Sequence, residues 1–171
     1  ASISIIEAEP YPLYSRVMIP GYLTHKKKRD ALFLRTISNY TAKKIGFYLS
    51  KVVSKIDYQK REVYTETGEV FPYKKLLIAS GGRPKPFIIS NIPILRMHTL
   101  DDADNILAKM KSVSGREVFV AGEGFIALEF IEIFLKNGFT VHISVKEAYF
   151  NEKKFGKTGG RILEEGFLKN G

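Results

Sequence analysis

The stretch from Val118 to Val145 constrains this chain more than any other. Glu117-Val118-Phe119-Val120-Ala121 is an apolar run of strand length, Gly122-Glu123-Gly124-Phe125-Ile126-Ala127 follows without a break, and a periodic apolar segment continues to Lys136 before Gly138 caps it. Thr140 to Val145 then reads as a second strand. Strand, Gly-x-Gly-x-x-Ala, helix and strand in this order and spacing form the pattern of a dinucleotide-binding βαβ unit. Each position has its reason. Gly122 permits the tight turn, Gly124 lets a pyrophosphate approach the backbone, Ala127 lets the helix pack closely on the strand, and the amides near Phe125 and Ile126 face the phosphates. A Gly-x-Gly alone marks only a turn; the flanks of matching period and length favour binding over a plain strand-to-helix corner.

The second strand bears on cofactor choice. An NAD-selective unit expects Asp or Glu at its end to hold the ribose hydroxyls, but Val145 stands there, Lys146 follows, and Glu147 comes slightly late. This leans toward NADPH, read by Lys146, or toward relaxed selectivity; a solvated Lys146 is the plain alternative.

Upstream, Ser2-Ile3-Ser4-Ile5-Ile6-Glu7 echoes Val141-His142-Ile143-Ser144-Val145 and reads as a short, largely buried strand. If it too is the second strand of a nucleotide unit, Glu7 is its ribose carboxylate and a glycine loop belongs roughly 20 residues earlier. The chain, which begins without Met, is therefore expected to start inside a longer sequence. Pro10, Pro12 and Pro20 argue for an ordered loop from Ala8 to Leu23. A weak helix and a strand follow between Arg35 and Lys51, with Gly46 as the cap between them. Val52 to Asp57, Glu62 to Thr65 and Glu69 to Phe71 read as an antiparallel meander. Leu76-Leu77-Ile78-Ala79 reads as a central parallel strand stopped by Ser80-Gly81-Gly82-Arg83-Pro84, and Lys85 to Met97 as a connector between domains. Thr99 or Asp101 caps a helix to about Met110, and a last helix begins at Gly156. The fold class expected is α/β: two partial Rossmann-like doubly wound units, with a small antiparallel meander in the first.

Composition removes several functions. With 171 residues and no Cys, a disulfide scaffold, a Cys-ligated zinc and a thiol nucleophile are excluded within this sequence. No apolar run approaches membrane-spanning length and no secretory signal is visible, so no membrane partner is expected and a cytoplasmic setting fits. The net charge of +9 invites a nucleic-acid reading, but only Lys26-Lys27-Lys28-Arg29 form a basic run, and a solvated loop accounts for it. His25, His98 and His142 sit in no metal or triad spacing, so no metal is expected.

Three stretches together, Ile5 to Pro20, Lys75 to Pro84 and Val120 to Glu129, resemble the FAD-dependent pyridine nucleotide oxidoreductases of the NADH oxidase, rubredoxin or ferredoxin reductase and nitrite-reductase flavoprotein type. The resemblance implies FAD and NAD(P)H as cofactors, with 1–96 a partial FAD-binding domain and 97–171 the N-terminal part of an NAD(P)-binding domain. It implies that Glu7 holds the FAD ribose, that Arg16 lies beside the flavin and its phosphates, that the Val53 backbone meets the adenine, and that Ser80 and Gly81 form the turn against the FAD. In the second domain it implies Phe125 as an aromatic gate over the nicotinamide and Glu129 as the acid where the two rings meet. Each has a plainer alternative: a helix-face Phe125, structural ion pairs at Arg16 and Glu129, a turn-capping Ser80.

The implied reaction is hydride transfer from NAD(P)H to flavin and electron delivery to a second acceptor, either a small electron-transfer protein or a small molecule; a homodimer is left open. The rival is a nucleotide-binding or interaction domain without catalysis. The absence of Cys after the Glu7 strand disfavours disulfide-reductase chemistry, and Gly21 stands where many relatives carry a flavin-supporting Lys.

Overall fold

A computed structural model of the chain describes residues 2–85, 92 and 94–170. The chain divides into two compact units, one from Ala1–Ser15 with Arg29–Lys85, the other from Arg16–Lys28 with Pro86–Gly171. The boundary expected between 96 and 97 therefore misses one segment: residues 16–28, early in the sequence, pack with the second unit.

In the first unit β1 (Ile3–Ile6) pairs in parallel with β2 (Ile45–Tyr48), Ile3 opposite Ile45 and Ile6 opposite Tyr48. α2 (Ile37–Ala42) precedes β2 and covers it by stacking Tyr40 on Phe47, 4.3 Å between ring centroids. α2 ends at Lys43, and Lys44 takes the left-handed turn (φ 56°), so Gly46 lies in β2 opposite Ser4 rather than capping the helix. β3 (Val53–Asp57), β4 (Glu62–Thr65) and β5 (Val70–Pro72) form the expected antiparallel meander. Tyr48 meets Phe71 edge-on and ties the two sheets together.

Two expectations fail here. Ile3 is 58% exposed and Ser4 is exposed as well, so β1 is not largely buried. Leu76 to Ala79 forms no strand, and Leu77 is 88% exposed. A strand apolar on both faces is stable only with ladder partners and cover on each side, and the described residues supply neither.

In the second unit the proline-rich segment is not all loop. A 3₁₀ turn (Arg16–Met18) runs into α1 (Ile19–Leu23), where Pro20 occupies the first turn and its missing N–H costs no hydrogen bond. Buried Ile19 and Leu23 pack α1 against α3 (Leu100–Ser112) and α4 (Phe125–Lys136). The Asn137 side-chain amide donates to the carbonyls of Leu23 (2.9 Å) and Ile133 (2.8 Å), and Tyr22 donates to Asp104 (2.8 Å). α3 starts as expected at Thr99, whose Oγ1 accepts the Asp102 N–H while Asp102 accepts the Thr99 N–H.

β6 (Glu117–Ala121) and β7 (Thr140–Ser144) pair in parallel and flank α4 in sequence. α4 ends at Asn137 with Gly138 in the left-handed region (φ 76°), as its sequence predicts. The chain closes with α5 (Glu152–Asn170), which is interrupted at Gly156, non-helical at φ 69° and ψ 173°. Phe150, 1% exposed, anchors the entry to α5 by meeting Phe167 edge-on and by donating its N–H to Glu164 (2.7 Å). The connector read over Lys85 to Met97 lies largely outside the described residues.

Candidate functional site

The glycine turn between β6 and α4 is the best-formed site. Gly122 donates its N–H to Ser144 at the end of β7 (3.1 Å), so the turn closes against the second strand. Gly122 sits at φ 127°, a conformation side-chain-bearing residues rarely adopt. Gly124, the N-cap of α4, has φ −81° and ψ 179°, which any residue could take. A Cβ at either glycine would meet no heavy atom within 4 Å. Gly124 is therefore required neither by its backbone angles nor by protein crowding, and the space in front of it is open for a ligand to meet the backbone. Ala127, 7% exposed, is the small contact of α4 with its own unit. These features fit a pyrophosphate at a helix N-terminus, where free N–H groups and the helix dipole favour an anion.

Phe125 and Glu129 lie one turn apart on α4. Phe125 is 64% exposed, which rules out the reading of it as core. The Lys154 ammonium lies 4.5 Å from its ring centroid, a contact between elements separated in sequence by β7 that no local spacing signals. The half-buried Glu129 carboxyl is pushed above the usual carboxylate range, by burial first and the Glu132 charge second. Glu132 is held below that range chiefly by Lys136 and also faces Lys26 at 3.5 Å, so it fastens the loop after α1 to α4. Past β7, Lys146 is exposed, whereas Glu147 is half-buried and ion-paired with Lys153.

The first unit brings Glu7 and the approach to Val53 together. The Glu7 N–H donates to Tyr48 (2.9 Å) and its carbonyl accepts from Lys51 (2.9 Å), two residues before Val53 begins β3. The Glu7 carboxylate accepts the Glu9 N–H at 3.2 Å and, with about four lone-pair sites, retains capacity for ribose hydroxyls. Ser80 and Gly81 are exposed, Gly81 at φ 66° with open space beside it. Arg16 lies elsewhere, in the second unit, where Nη1 contacts His98 Nε2 at 3.2 Å.

Parallel strands joined through a glycine turn and a helix, with open space in front of the turn's glycines, define a dinucleotide-binding α/β protein. The chain belongs to the pyridine nucleotide-disulphide oxidoreductase family, which it matches over residues 1–171. It is 27% identical over 175 residues to nitrite reductase [NAD(P)H] of Bacillus subtilis (strain 168), covering 99% of this chain and 21% of that protein. It is 32% identical over 145 residues to the peroxisomal monodehydroascorbate reductase 2 of Oryza sativa subsp. japonica, covering 80% of this chain and 30% of that one. Its fold superposes with a TM-score of 0.89 on the crystal structure of NADH:rubredoxin oxidoreductase from Clostridium acetobutylicum, at 24% identity, over 98% of this chain and 44% of the other. The chain thus spans less than half the length of each. Among the described residues no helix is long and apolar enough to cross a membrane, and no group of three or more His, Asp or Glu could hold a metal ion.

Proposed function

We propose that this chain is part of a flavoenzyme that takes a hydride from NAD(P)H onto FAD and passes electrons to a second acceptor. The observation that carries the reading is Gly124, a glycine at an ordinary backbone conformation facing open space at the start of α4. In this reading 97–171 holds the nicotinamide cofactor, with Gly122, Gly124 and Ala127 receiving the pyrophosphate, Phe125 gating the nicotinamide, Glu129 near the reacting rings, and Lys146 at the adenosine end. Residues 1–96 hold FAD through Glu7, the Val53 backbone, and Ser80 with Gly81, and Arg16 serves the flavin side. When bound, the two cofactors supply the redox chemistry, one as hydride donor and the other as acceptor. The chain's own residues bind, orient and exclude water: exposed Phe125 covers a ring face, and α4 amides meet phosphate charge. Glu129 has its carboxyl pushed above the usual carboxylate range by burial first and the Glu132 charge second. The acceptor is a small electron-transfer protein or a small molecule, in keeping with the rubredoxin and nitrite reductases among the relatives.

The test is the visible spectrum of the purified chain supplied with FAD, before and after anaerobic addition of NADH or NADPH. A protein-bound flavin band that bleaches on addition is expected. A colourless protein that still binds the nicotinamide cofactor would overturn the flavoenzyme reading in favour of a binding module.

A further inference from the structure

Glu123 stands in the middle of the glycine turn, where the backbone is laid open for a dianionic pyrophosphate. A carboxylate there is electrostatically out of place unless it has a task. Its Oε2 is shielded from water and has no hydrogen-bond partner among the described residues. An acceptor withdrawn from water and left unpaired forfeits its hydration with nothing in return; such an oxygen calls for a donor. Lys153 lies near enough to feel the Glu123 charge, but its ammonium is ion-paired with Glu147 and makes no hydrogen bond to Glu123 Oε2, and Lys154 lies over the Phe125 ring.

At the end of β7, where a ribose-binding carboxylate would be expected, Val145 offers no side-chain acceptor. The two strands end side by side, Ala121 opposite Ser144, with the Gly122 N–H bonded to the Ser144 carbonyl. The turn that carries Glu123 and the strand end that lacks an acid are thus adjacent. In a dinucleotide the adenosine ribose is one methylene from the pyrophosphate, so a long side chain rising from the phosphate turn spans that distance.

We propose that Glu123, supplied by the turn rather than by β7, accepts the hydroxyls of the adenosine ribose and makes the site select NADH over NADPH. A ribose diol brings O–H donors to a carboxylate whose Oε2 has no hydrogen-bond partner among the described residues. A 2′-phosphate replaces one donor with acceptors only and sets like charge against Glu123. This reverses the preference that Lys146 suggests from the sequence, and it rests on the nicotinamide site proposed above.

The experiment titrates the purified chain with NADH and NADPH, following dihydronicotinamide fluorescence, and with 5′-AMP and 2′,5′-ADP as competitors that carry the adenosine end alone. The wild type is expected to bind NADH about tenfold or more tightly than NADPH, a ratio that corresponds to about 1.4 kcal/mol of differential binding. Glu123→Gln, which keeps the shape and removes the charge, should bring the two affinities together, and 2′,5′-ADP should gain on 5′-AMP by the same factor. Lys146→Glu should move the ratio less than Glu123→Gln does. A wild-type preference for NADPH, or a ratio that moves with Lys146→Glu and not with Glu123→Gln, overturns the assignment and leaves the nicotinamide site standing. If neither dinucleotide binds, the site itself fails and the assignment with it. Circular dichroism of each variant separates lost affinity from lost fold.

Discussion

β1 and β2 pair in parallel over four residues and β6 and β7 over five, yet among the described residues the first unit buries only Tyr14, Leu32 and Val63 as apolar core, while the remaining buried apolar side chains, from Ile19 to Phe150, belong to the second. The ladders are equivalent; what differs is the cover. Between β6 and β7 runs a single helix that packs on both strands and buries Ala127, Ile131, Ile133 and Phe134. Between β1 and β2 the chain leaves for the other unit and returns, and short α2 packs on β2. Parallel pairing thus does not make a core by itself. A helix joining its two strands does, because it brings an apolar face to the sheet in the same stretch of chain.

The largest test of this contrast is truncation of the buried side. Ile133 is 0% exposed, and Ile133→Ala should cost about 2–5 kcal/mol of stability, measured by urea denaturation. Ile3→Ala, at a side chain mostly in water, should stay within about 0.5 kcal/mol. Similar losses at the two positions would erase the contrast.

The glycine turn offers a sharper separation of fold from function. Gly122→Val forces a β-branched residue into φ 127° and should cost about 1–3 kcal/mol, seen as a lowered melting temperature. Gly124→Val meets neither strain nor a neighbour, so the melting temperature should hardly move while NAD(P)H binding is lost. Retained affinity in Gly124→Val would remove the turn from the proposed site.

The smallest effect is in acid. Glu69 is held below the usual carboxylate range first by the Lys51 ammonium, 2.6 Å away, and Asp57 by the Lys60 N–H. Their stabilisation is complete above the ordinary carboxylate pKa of about 4 and is lost as pH falls through the depressed folded values. Glu129 works the other way: with a raised folded pKa, it penalises the fold at neutral pH and is relieved on acidification. Hydrogen exchange should therefore show the meander loosening first below about pH 4. Glu69→Gln should flatten that acid dependence; an unchanged slope would exclude the Lys51 pair as its source.

The second unit was the legible one. Apolar period, Gly-x-Gly turn and capping residues all act within a few residues of one another, and Thr99, Phe125, Lys136 and Gly138 fall where local rules place them. The misreadings arose where distant chain decides. Pro20 reads as a helix breaker until it is found in the first turn of α1. Leu76 to Ala79 reads as a central strand because apolar sequence reports a demand for cover without showing whether cover is present. At the turn, Glu123 is visible in the sequence as a charge between two glycines, but the lack of a partner for its oxygen is a fact of three dimensions.

The early segment that carries Ile19 and Leu23 has a practical consequence for dissecting this molecule. A downstream piece cut at the connector would inherit two holes beneath α3 and α4, in place of side chains only 2% and 0% exposed. Ownership by sequence and ownership by packing diverge there, so any truncation or domain exchange that keeps the C-terminal half intact must carry residues 16–28 along with it.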